Sequence, residues 1–581
     1  MPTNAAPAAP RAGLKQWFGL VMLLLPTALM TADLGVLWLA TPYLTADLQP
    51  TSSQLLWVTD SYGFMTAGFL VIMGTLGDRI GRRKLLMIGS VLFIAASVIA
   101  AYAPSALVLI IGRGLLGIAG AAVLPSTLSL ITTMFVDARQ RGAAIAAWVT
   151  ALSLGLGVGP VLGGVLLGSF WWGSVFLIAV PVMVLALVTA PVLLPEYRDP
   201  AAGRLDLLSV LLFLLGILPV VYAIKHAAES GVDVAFGVAL VVGLVFGTLF
   251  VRRQRALPNP LIDVRLFANR TFTMALVTLM LGMMALNGVE YVVPQLLQLV
   301  SGMSPMDAAL WLLPSAAGLM LGSQLTPPLT RTFRPAYVIG GGQVVALVGY
   351  AMIWATGEGY GGGVLASVGL TVVMFGVAPI SVLCTGIAVG SAPAEKAGVA
   401  AGTGQTSYEL GLALGIAVVG SVSVAVYRSD VADRLPAGLP EDAVAQVRDT
   451  LGSAVAVSET LPGAQGAEVA AVARAAFLDG FHASAIFSGA VALVLTVLVV
   501  TLLRHVPSTP RATEPAEPTE PGPSAEAVGP AAPAAAVEPV PNAADEDAAD
   551  EGAAGDPPRA QAPAADPEGS AADERERVER V

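Results

Sequence analysis

The chain has 581 residues, of which 55% are hydrophobic and only 12% are charged. Its mean hydropathy is +0.76. Soluble globular domains carry about one-quarter charged residues, so this composition excludes a soluble domain and predicts a membrane protein. The formal net charge of −11 arises at one end, because from Val506 onward 17 acidic residues face 5 arginines. The rest of the chain is nearly neutral, and we expect no nucleic-acid partner.

Fourteen apolar segments predict an all-α membrane protein. Each segment is long enough to cross a hydrocarbon core about 30 Å thick. The first is too long for the apolar core of a signal peptide, so we expect it to be retained as a helix. The segments are 17–42, 54–76, 84–103, 106–134, 141–168, 172–194, 205–225, 232–252, 271–298, 306–328, 335–356, 361–386, 399–427 and 482–504.

The distribution of lysine and arginine predicts the orientation, because cytoplasmic loops are enriched in both residues. With the N-terminus in the cytoplasm, the outer short loops hold Lys225 alone. We therefore expect an even number of spans with both ends in the cytoplasm. The inner loops and flanks hold Arg11, Lys15, Arg79, Arg82, Arg83, Lys84, Arg139, Arg141, Arg198, Arg204, Arg252, Arg253, Arg255, Arg265, Arg270, Arg331, Arg334, Lys396 and Arg504.

The most charged short loop lies between the second and third spans. Residues 74–86 read G-T-L-G-D-R-I-G-R-R-K-L-L. Glycines allow a tight turn and a close approach of helices. Asp78 can cap a helix or pair with an arginine, and the basic residues mark the cytoplasmic surface.

The fourth and fifth spans carry two unusual features. Arg113 lies about a third of the way along the fourth span from its outer end. A guanidinium in hydrocarbon is costly, so we predict that it faces a wet cavity or a carboxylate, with snorkelling to the interface as the alternative. The fifth span reads G-L-G-V-G-P-V-L-G-G-V-L-L at 155–167. Its small residues favour backbone-to-backbone helix packing, and Pro160 bends the helix.

Acidic residues inside the spans predict the mechanism. At about 1.5 Å per residue, Asp33, Asp60 and Glu290 lie at similar depth in the outer half, and Glu409 lies near the middle of its span. Low-dielectric surroundings favour the protonated form of a carboxylic acid, so such a group can hold a proton and release it when a cation arrives. The alternatives are a carboxylate at a poorly placed helix end and a structural pair with Arg113. We expect Asp33→Asn to abolish cation transport without unfolding the protein.

Polar and aromatic side chains are predicted to line the cavity with these acids. Asn287 and Gln405 lie one helical turn from Glu290 and Glu409, so each is predicted to hydrogen-bond its neighbouring acid. Aromatic faces attract lipophilic cations, with lipid-facing or core-packing positions as the alternative for each ring. The candidates are Trp57, Tyr62, Trp148, Trp311 and Tyr408.

The spans group as six, two and six, as expected for two parallel repeats separated by an inserted pair. The predicted divisions are a cytoplasmic N-terminus at 1–16, a six-helix bundle at 17–204, two inserted helices at 205–252, a second six-helix bundle at 253–504, and a cytoplasmic tail at 505–581.

Two segments lie outside the spans. The outer loop at 428–481 is predicted to hold amphipathic helices at Glu441 to Val455 and Ala464 to Leu478, forming either a lid beside the exit or a simple tether. The tail at 505–581 is rich in Ala, Pro and Glu and poor in large apolar residues. It is therefore expected to be disordered.

These motifs resemble those of a known family. The loop at 74–86 resembles the signature between the second and third helices of the major facilitator superfamily. Residues 109–124 resemble its fourth-helix motif, whose arginine is linked to proton coupling. Residues 155–167 resemble the fifth-helix signature of its drug:proton exporters. The six-two-six layout, A-D-L-G-V-L-W-L-A-T-P from residue 32, W-V-T-D-S-Y at 57–62 and D-V-R-L-F at 263–267 are similar to QacA-type quaternary-ammonium exporters.

The resemblance implies a major facilitator fold of two six-helix bundles plus two central helices. Roles in proton coupling or cation recognition carry over to Asp33, Asp60, Arg113 and Glu409. The conformational-gating loop carries over to Gly74, Asp78, Arg79, Gly81 and Arg82, and the antiporter helix-5 motif to Gly155, Gly159, Pro160, Gly163 and Gly164.

The chain also departs from the QacA-type pattern. An acid used for divalent cations aligns with Leu319, and an acidic pair aligns with Gly404 and Gln405. Glu290 stands where those exporters have an apolar residue, and we predict that it substitutes for the acid missing at Leu319. Divalent-cation selectivity is therefore not implied by the resemblance.

We predict a proton-coupled antiporter that exports lipophilic cationic drugs, dyes and antiseptics from the cytoplasm. It is expected to act as a monomer in the cell membrane, with protons, organic cations and the bilayer as its partners. One alternative is a self-resistance exporter of a single endogenous antibiotic or metabolite, and another is a non-transporting receptor or scaffold.

An enzyme is not expected. The histidines, His226, His482 and His505, are scattered, and no phosphate-binding loop is present to support direct use of ATP. Cys384 is the single cysteine and lies in a predicted span. The sequence predicts no catalytic residue, cofactor or metal site.

Overall fold

The computed structural model describes residues 12–196, 198, 206–258, 260–393, 396–436 and 438–507, and those residues form helices and connecting turns without a strand. From residue 508 the predicted tail lies outside the described residues, as do residues 1–11. The helices are α1 (Leu14–Leu48), α2 (Ser52–Ile80), α3 (Arg82–Ala101), α4 (Ala106–Met134), α5 (Ala138–Ser169), α6 (Ser174–Leu177), α7 (Ala179–Leu193), α8 (Leu207–Ser230), α9 (Val234–Ala256), α10 (Arg270–Gln295), α11 (Pro305–Thr332), α12 (Pro335–Trp354), α13 (Gly359–Ser391), α14 (Ala397–Leu414), α15 (Ser421–Arg434), α16 (Glu441–Asp449), α17 (Leu451–Thr460) and α18 (Gly463–Leu502).

The membrane spans agree with the sequence prediction. In the described parts of the chain, thirteen helices are long and apolar enough to cross a membrane, and α2 makes a fourteenth when its two segments, bent by 53°, are counted as one span. Helices α6 and α7 together form the sixth span, and α14 continues through a π-helical turn at Gly415–Gly420 into α15. The prediction of an all-α membrane protein is confirmed.

Polar residues in the connecting turns start several spans. The Thr51 hydroxyl accepts a hydrogen bond from the backbone N–H of Gln54 at 3.2 Å, and the Gln54 side chain accepts one from the Thr51 N–H at 3.1 Å. The Asp137 carboxylate likewise accepts from the backbone N–H of Gln140 at 2.9 Å. Such caps satisfy backbone donors that the first turn of a helix leaves free. They therefore help define where α2 and α5 begin.

Helix packing supports the predicted division, which we retain as a proposal. In the N-terminal part, α1 packs against α5, and α4 packs against both α2 and α3. In the C-terminal part, α13 packs against α10, α11 and α12, and α18 packs against α12 and α10. The two parts meet where α5 contacts α11 and α2 contacts α14. Helices α8 and α9 pack on each other, and α8 also contacts α2 and α15.

We call the membrane side that holds Gly81 the basic face and the other side the opposite face. Contacts between the two bundles extend from the opposite face to the middle of the membrane. A Cβ atom added at Gly164 of α5 would lie 3.2 Å from the Cα of Met306 in α11, and one added at Gly63 of α2 would lie 3.1 Å from the Cβ of Ala413. The two bundles therefore approach each other closely at both positions.

The predicted outer loop at 428–481 is shorter in the structure. Helix α15 continues to Arg434, and α18 begins at Gly463 and runs for 40 residues. The predicted separate helix at Ala464 to Leu478 is therefore wrong, because Gly480, which follows this alanine-rich stretch, packs closely on Ser423 of α15 and does not end the helix. The predicted helix at Glu441 to Val455 is also divided, since Thr450 is extended and caps α17.

Helix α16 is docked on the membrane bundle. The Tyr427 hydroxyl donates to the Val447 carbonyl oxygen at 2.7 Å, and Arg428 pairs with Asp449 at 2.9 Å. The Ser52 hydroxyl donates to the Asp449 carbonyl oxygen. Burial raises the pKa of the Asp449 carboxyl. These contacts tie α16 to the start of α2 and to α15.

Candidate transport site

Asp33 of α1 and Arg113 of α4 form an ion pair inside the N-terminal bundle. Arg113 Nη1 lies 2.5 Å from Asp33 Oδ2, and the arginine side chain has no exposed surface. Arg113 Nε donates to the Val58 carbonyl oxygen at 3.3 Å, and the guanidinium carbon lies 4.9 Å from the centre of the Tyr62 ring. Arg113 thus faces a carboxylate and does not snorkel to the membrane surface.

This pair corrects one expectation from the sequence. Asp33→Asn was expected to leave the fold intact because a lone buried charge is unfavourable. In the structure, the substitution leaves Arg113 without its counter-ion, and breaking a buried pair is strongly destabilising. The stability of Asp33 variants therefore depends on Arg113.

Asp60 of α2 is paired with a residue that the sequence interpretation placed elsewhere. Lys225 Nζ lies 2.6 Å from Asp60 Oδ2, and both side chains are fully buried. The ammonium also lies 4.0 Å from the centre of the Trp57 ring. The assignment of Lys225 to an outer loop is wrong, because α8 continues to Ser230 and places Lys225 inside the span. Gly231, with φ of +85°, could have indicated this later helix end.

Glu290 of α10 is buried beside a small cavity between the bundles. Gly35 and Trp38 of α1, Pro160 of α5 and Ser315 of α11 contribute to the walls of this cavity. Residues from both bundles therefore surround the carboxyl group. Glu290 has no ion pair among the described residues.

The two predicted amide partners differ. Gln405 Nε2 donates to Glu409 Oε1 at 3.0 Å, as predicted. Asn287 Nδ2 donates instead to the Leu412 carbonyl oxygen at 2.7 Å. The prediction that Asn287 bonds Glu290 is wrong, because α14 packs closely on α10 and brings a backbone carbonyl within reach of the amide.

Two tyrosines lie near acids of the two bundles. Tyr62 lies near Asp33, Arg113 and Glu409. Tyr408 lies near Glu409 and Glu290. Asp33 and Glu409, from different bundles, therefore share Tyr62 as a neighbour.

The structure places two of the predicted aromatic residues apart from these acids. Trp148 Nε1 donates to the Thr127 hydroxyl at 3.0 Å, within the packing of α4 and α5. Trp311 Nε1 donates to the Tyr360 hydroxyl at 2.9 Å, near the opposite face. Their indole hydrogen bonds are explained by packing within one bundle, so these contacts do not support a cavity-lining role.

The loop between α2 and α3 is built around a glycine turn. Gly81 has φ of +113°, a conformation that other residues rarely adopt. Asp78 pairs with Arg82 at 2.6 Å, and Arg83 pairs with Glu196 at 3.3 Å after α7. Gly74 has open space around it and Arg79 is exposed. The loop thus links the basic-face ends of α2, α3 and α7.

The glycines of α5 pack against two different helices. A Cβ atom at Gly159 would lie 2.6 Å from the Ala32 carbonyl oxygen of α1, while Gly164 faces α11 across the bundle interface. Small residues are needed where helix backbones approach this closely. The motif positions that contact α1 are Gly155, Gly159, Pro160 and Gly163.

In the part of the chain that the structure describes, fourteen spans (with the bent α2 counted as one), a glycine-containing basic turn after the second span and charged residues inside the bundles define a membrane transporter of the major facilitator type. The chain belongs to the Major Facilitator Superfamily, whose family model matches residues 23–416.

Known relatives cover most of the chain. It is 38% identical to the multidrug efflux pump LfrA of Mycolicibacterium smegmatis, over 86% of this chain and 99% of that protein. It is 33% identical to the methyl viologen resistance protein SmvA of Salmonella typhimurium, over 83% of this chain and 97% of that protein. It is 29% identical to the tetracenomycin C resistance and export protein of Streptomyces glaucescens, over 84% of this chain and 91% of that protein.

Solved structures show the same fold. A bacterial homolog of the human lysosomal transporter Spinster, in an inward-facing and unoccupied conformation, matches with a TM-score of 0.58 and 16% identity. The match covers 84% of this chain and 98% of that structure.

Proposed function

We propose that this protein is a proton-coupled antiporter that exports lipophilic cationic drugs, dyes and antiseptics. One observation carries the proposal most strongly. Glu290 and Glu409 lie within spans and have no ion pair in the described part of the chain, and Tyr408 lies near both. An unpaired carboxylate in hydrocarbon is costly unless a proton or a cation neutralises it. A proton and a cationic substrate therefore replace each other at these acids.

The other two acids have a different role in this proposal. Asp33 and Asp60 are already neutralised by Arg113 and Lys225. Neither acid exchanges a proton while its ion pair is intact, and Tyr62 lies near both Asp33 and Glu409. Proton exchange takes place at Glu290 and Glu409, which remain available to a ligand.

Further observations support the proposed direction and location. The α5 glycines have the spacing of the exporter motif, and relatives over most of the chain are named as a multidrug efflux pump and a methyl viologen resistance protein. We place the transporter in the cell membrane as a monomer, with the basic face and both termini in the cytoplasm. Catalysis and cofactors have no part in the mechanism.

Export of a single endogenous antibiotic is the second candidate. The tetracenomycin C resistance and export protein, a relative over 84% of this chain, favours it. The two functions differ in the range of substrates, since a multidrug exporter moves several structurally unrelated cations. A panel of ethidium, methyl viologen and tetraphenylphosphonium would separate them.

The deciding experiment measures ethidium uptake into inverted membrane vesicles under an imposed pH gradient. We expect uptake to stop when a protonophore collapses the gradient and to continue when sodium is removed. Uptake that persists after collapse of the gradient contradicts proton coupling.

Glu290→Gln and Glu409→Gln, singly and together, test the acids in the same assay. We expect the double variant to lose uptake, with a leucine-to-methionine change at lipid-facing Leu493 as the matched control. Full uptake by the double variant would refute the assigned mechanism, and absence of transport by the parent would favour a receptor or scaffold.

A further inference from the structure

Helix α8 of the inserted pair packs at the junction of the two bundles. Phe64 of α2, Val221 of α8, Ala413 of α14 and Ala417 of the following turn form one buried apolar cluster. A Cβ atom added at Gly68 of α2 would meet the Leu214 side chain of α8 at 2.8 Å. The inserted helix thus contacts both sides of the seam between α2 and α14.

The contact between α8 and α2 has the composition of a cation site. The carboxylate of Asp60 and the ring face of Trp57 both approach the same ammonium group, at 2.6 Å and 4.0 Å. Aromatic faces and carboxylates are the groups that bind lipophilic cations in apolar surroundings. In this structure the cation is Lys225, a residue of the protein itself.

The energetics of buried ion pairs determine how a cationic substrate could bind at Asp60. Removing one partner of a buried pair is costly, whereas replacing one cation with another preserves the neutralised carboxylate. A cationic substrate that reaches Asp60 must therefore displace the lysine. Lys225 lies five residues before the end of α8, about 8 Å along the helix axis. Its ammonium can then snorkel toward the opposite face, where Glu229 lies one turn later on α8.

We propose that Lys225 is a specificity-determining residue, a built-in cation that a lipophilic cationic substrate must replace at the Asp60–Trp57 site. The inserted helix pair thereby sets the affinity threshold for substrates. A weakly binding cation fails to displace the lysine, and a substrate with a good fit to Trp57 succeeds. This inference rests on the proposed export of cations and assigns a role to α8 within that function.

The test is equilibrium binding of tetraphenylphosphonium to the purified full-length protein. Lys225→Met keeps the length of the side chain and removes the charge, and we expect it to tighten binding at least tenfold. The gain should disappear in Lys225→Met/Asp60→Asn, because the carboxylate that attracts the ligand is then absent. Lys396→Met is the matched control, because Lys396 also pairs with an aspartate, Asp263, but at the basic face.

Each outcome decides the inference. Parent-like affinity in folded Lys225→Met, or a gain that survives Asp60→Asn, overturns it and leaves the export function standing. A parent that neither binds nor transports the cation overturns both. If Lys225→Met does not fold, Asp60→Lys/Lys225→Asp retains a pair with its charges exchanged. We expect that variant to fold and to lose at least tenfold in binding, and parent-like binding would show that the pair is only structural.

Discussion

The Asp33–Arg113 pair makes a quantitative prediction about stability. Asp33→Asn preserves the shape of the side chain but removes the counter-ion of a fully buried arginine. Arg113 Nη2 already lacks a hydrogen-bond partner among the described residues, so only the Val58 carbonyl and nearby aromatic rings remain. Breaking a buried pair in this way costs about 3–5 kcal/mol. We expect a clear loss of stability together with loss of cation transport.

A double substitution separates stability from function. Asp33→Asn/Arg113→Met removes both charges and replaces the guanidinium with an apolar side chain. Replacing a buried pair with apolar groups is often neutral or stabilising by about 1–4 kcal/mol. The double variant should therefore recover most of the stability of the parent while remaining inactive, because neither charge is restored.

The assay combines thermal unfolding in detergent with ethidium uptake in vesicles at matched expression. We expect the parent and the double variant to unfold at similar temperatures and Asp33→Asn to unfold at a temperature several degrees lower. An Asp33→Asn protein as stable as the parent would refute the assigned energetics. A double variant that still transports ethidium would show that the pair serves the fold alone.

Glu290→Gln should spare some monovalent substrates, impair divalent ones such as bisbiguanides and shift the pH profile of uptake. An unchanged pH profile with equal activity toward both substrate classes would mean that Glu290 has only a packing role. Gly159→Ala should destabilise the protein by about 1–3 kcal/mol by overpacking, because its Cβ would meet an α1 carbonyl oxygen at 2.6 Å. Gly142→Ala in the same helix, which has open space, should be neutral or stabilising in the same melting assay. The hydrogen bond from the Lys396 ammonium lowers the pKa of the Asp263 carboxyl in the folded protein. The pair therefore stabilises the fold at pH values above the ordinary aspartate pKa of about 3.9. This stabilisation is lost as the pH falls through the lower pKa of the folded state. Lys396→Met should therefore leave the uptake profile between about pH 6 and 8 unchanged, and a shifted profile would contradict this.

Local features of the sequence were sufficient for the architecture. The bilayer requires each span to satisfy its own backbone hydrogen bonds, so length and hydropathy alone locate transmembrane helices. The turn at Gly81 was equally readable, because a positive φ favours glycine and the neighbouring arginines lie within one helical turn of Asp78. The hydrogen bond from Gln405 to Glu409 was predicted for the same reason, since both residues share one helix face.

Only the tertiary structure shows which side chains of separate helices contact each other. The sequence predicted that Arg113 faces a wet cavity or a carboxylate, but the rotation and packing of α1 and α4 determine that Asp33 is its partner. The same holds for Asn287, whose amide bonds α14 because that helix approaches closely, and for Lys225, which a span ending five residues too early placed outside the membrane. Partner choice depends on how the faces of separate helices meet, and hydropathy along one chain does not contain that information. The sequence by itself located the intramembrane acids and Arg113, whereas only the fold added Lys225 to them and decided which of these charges neutralise each other.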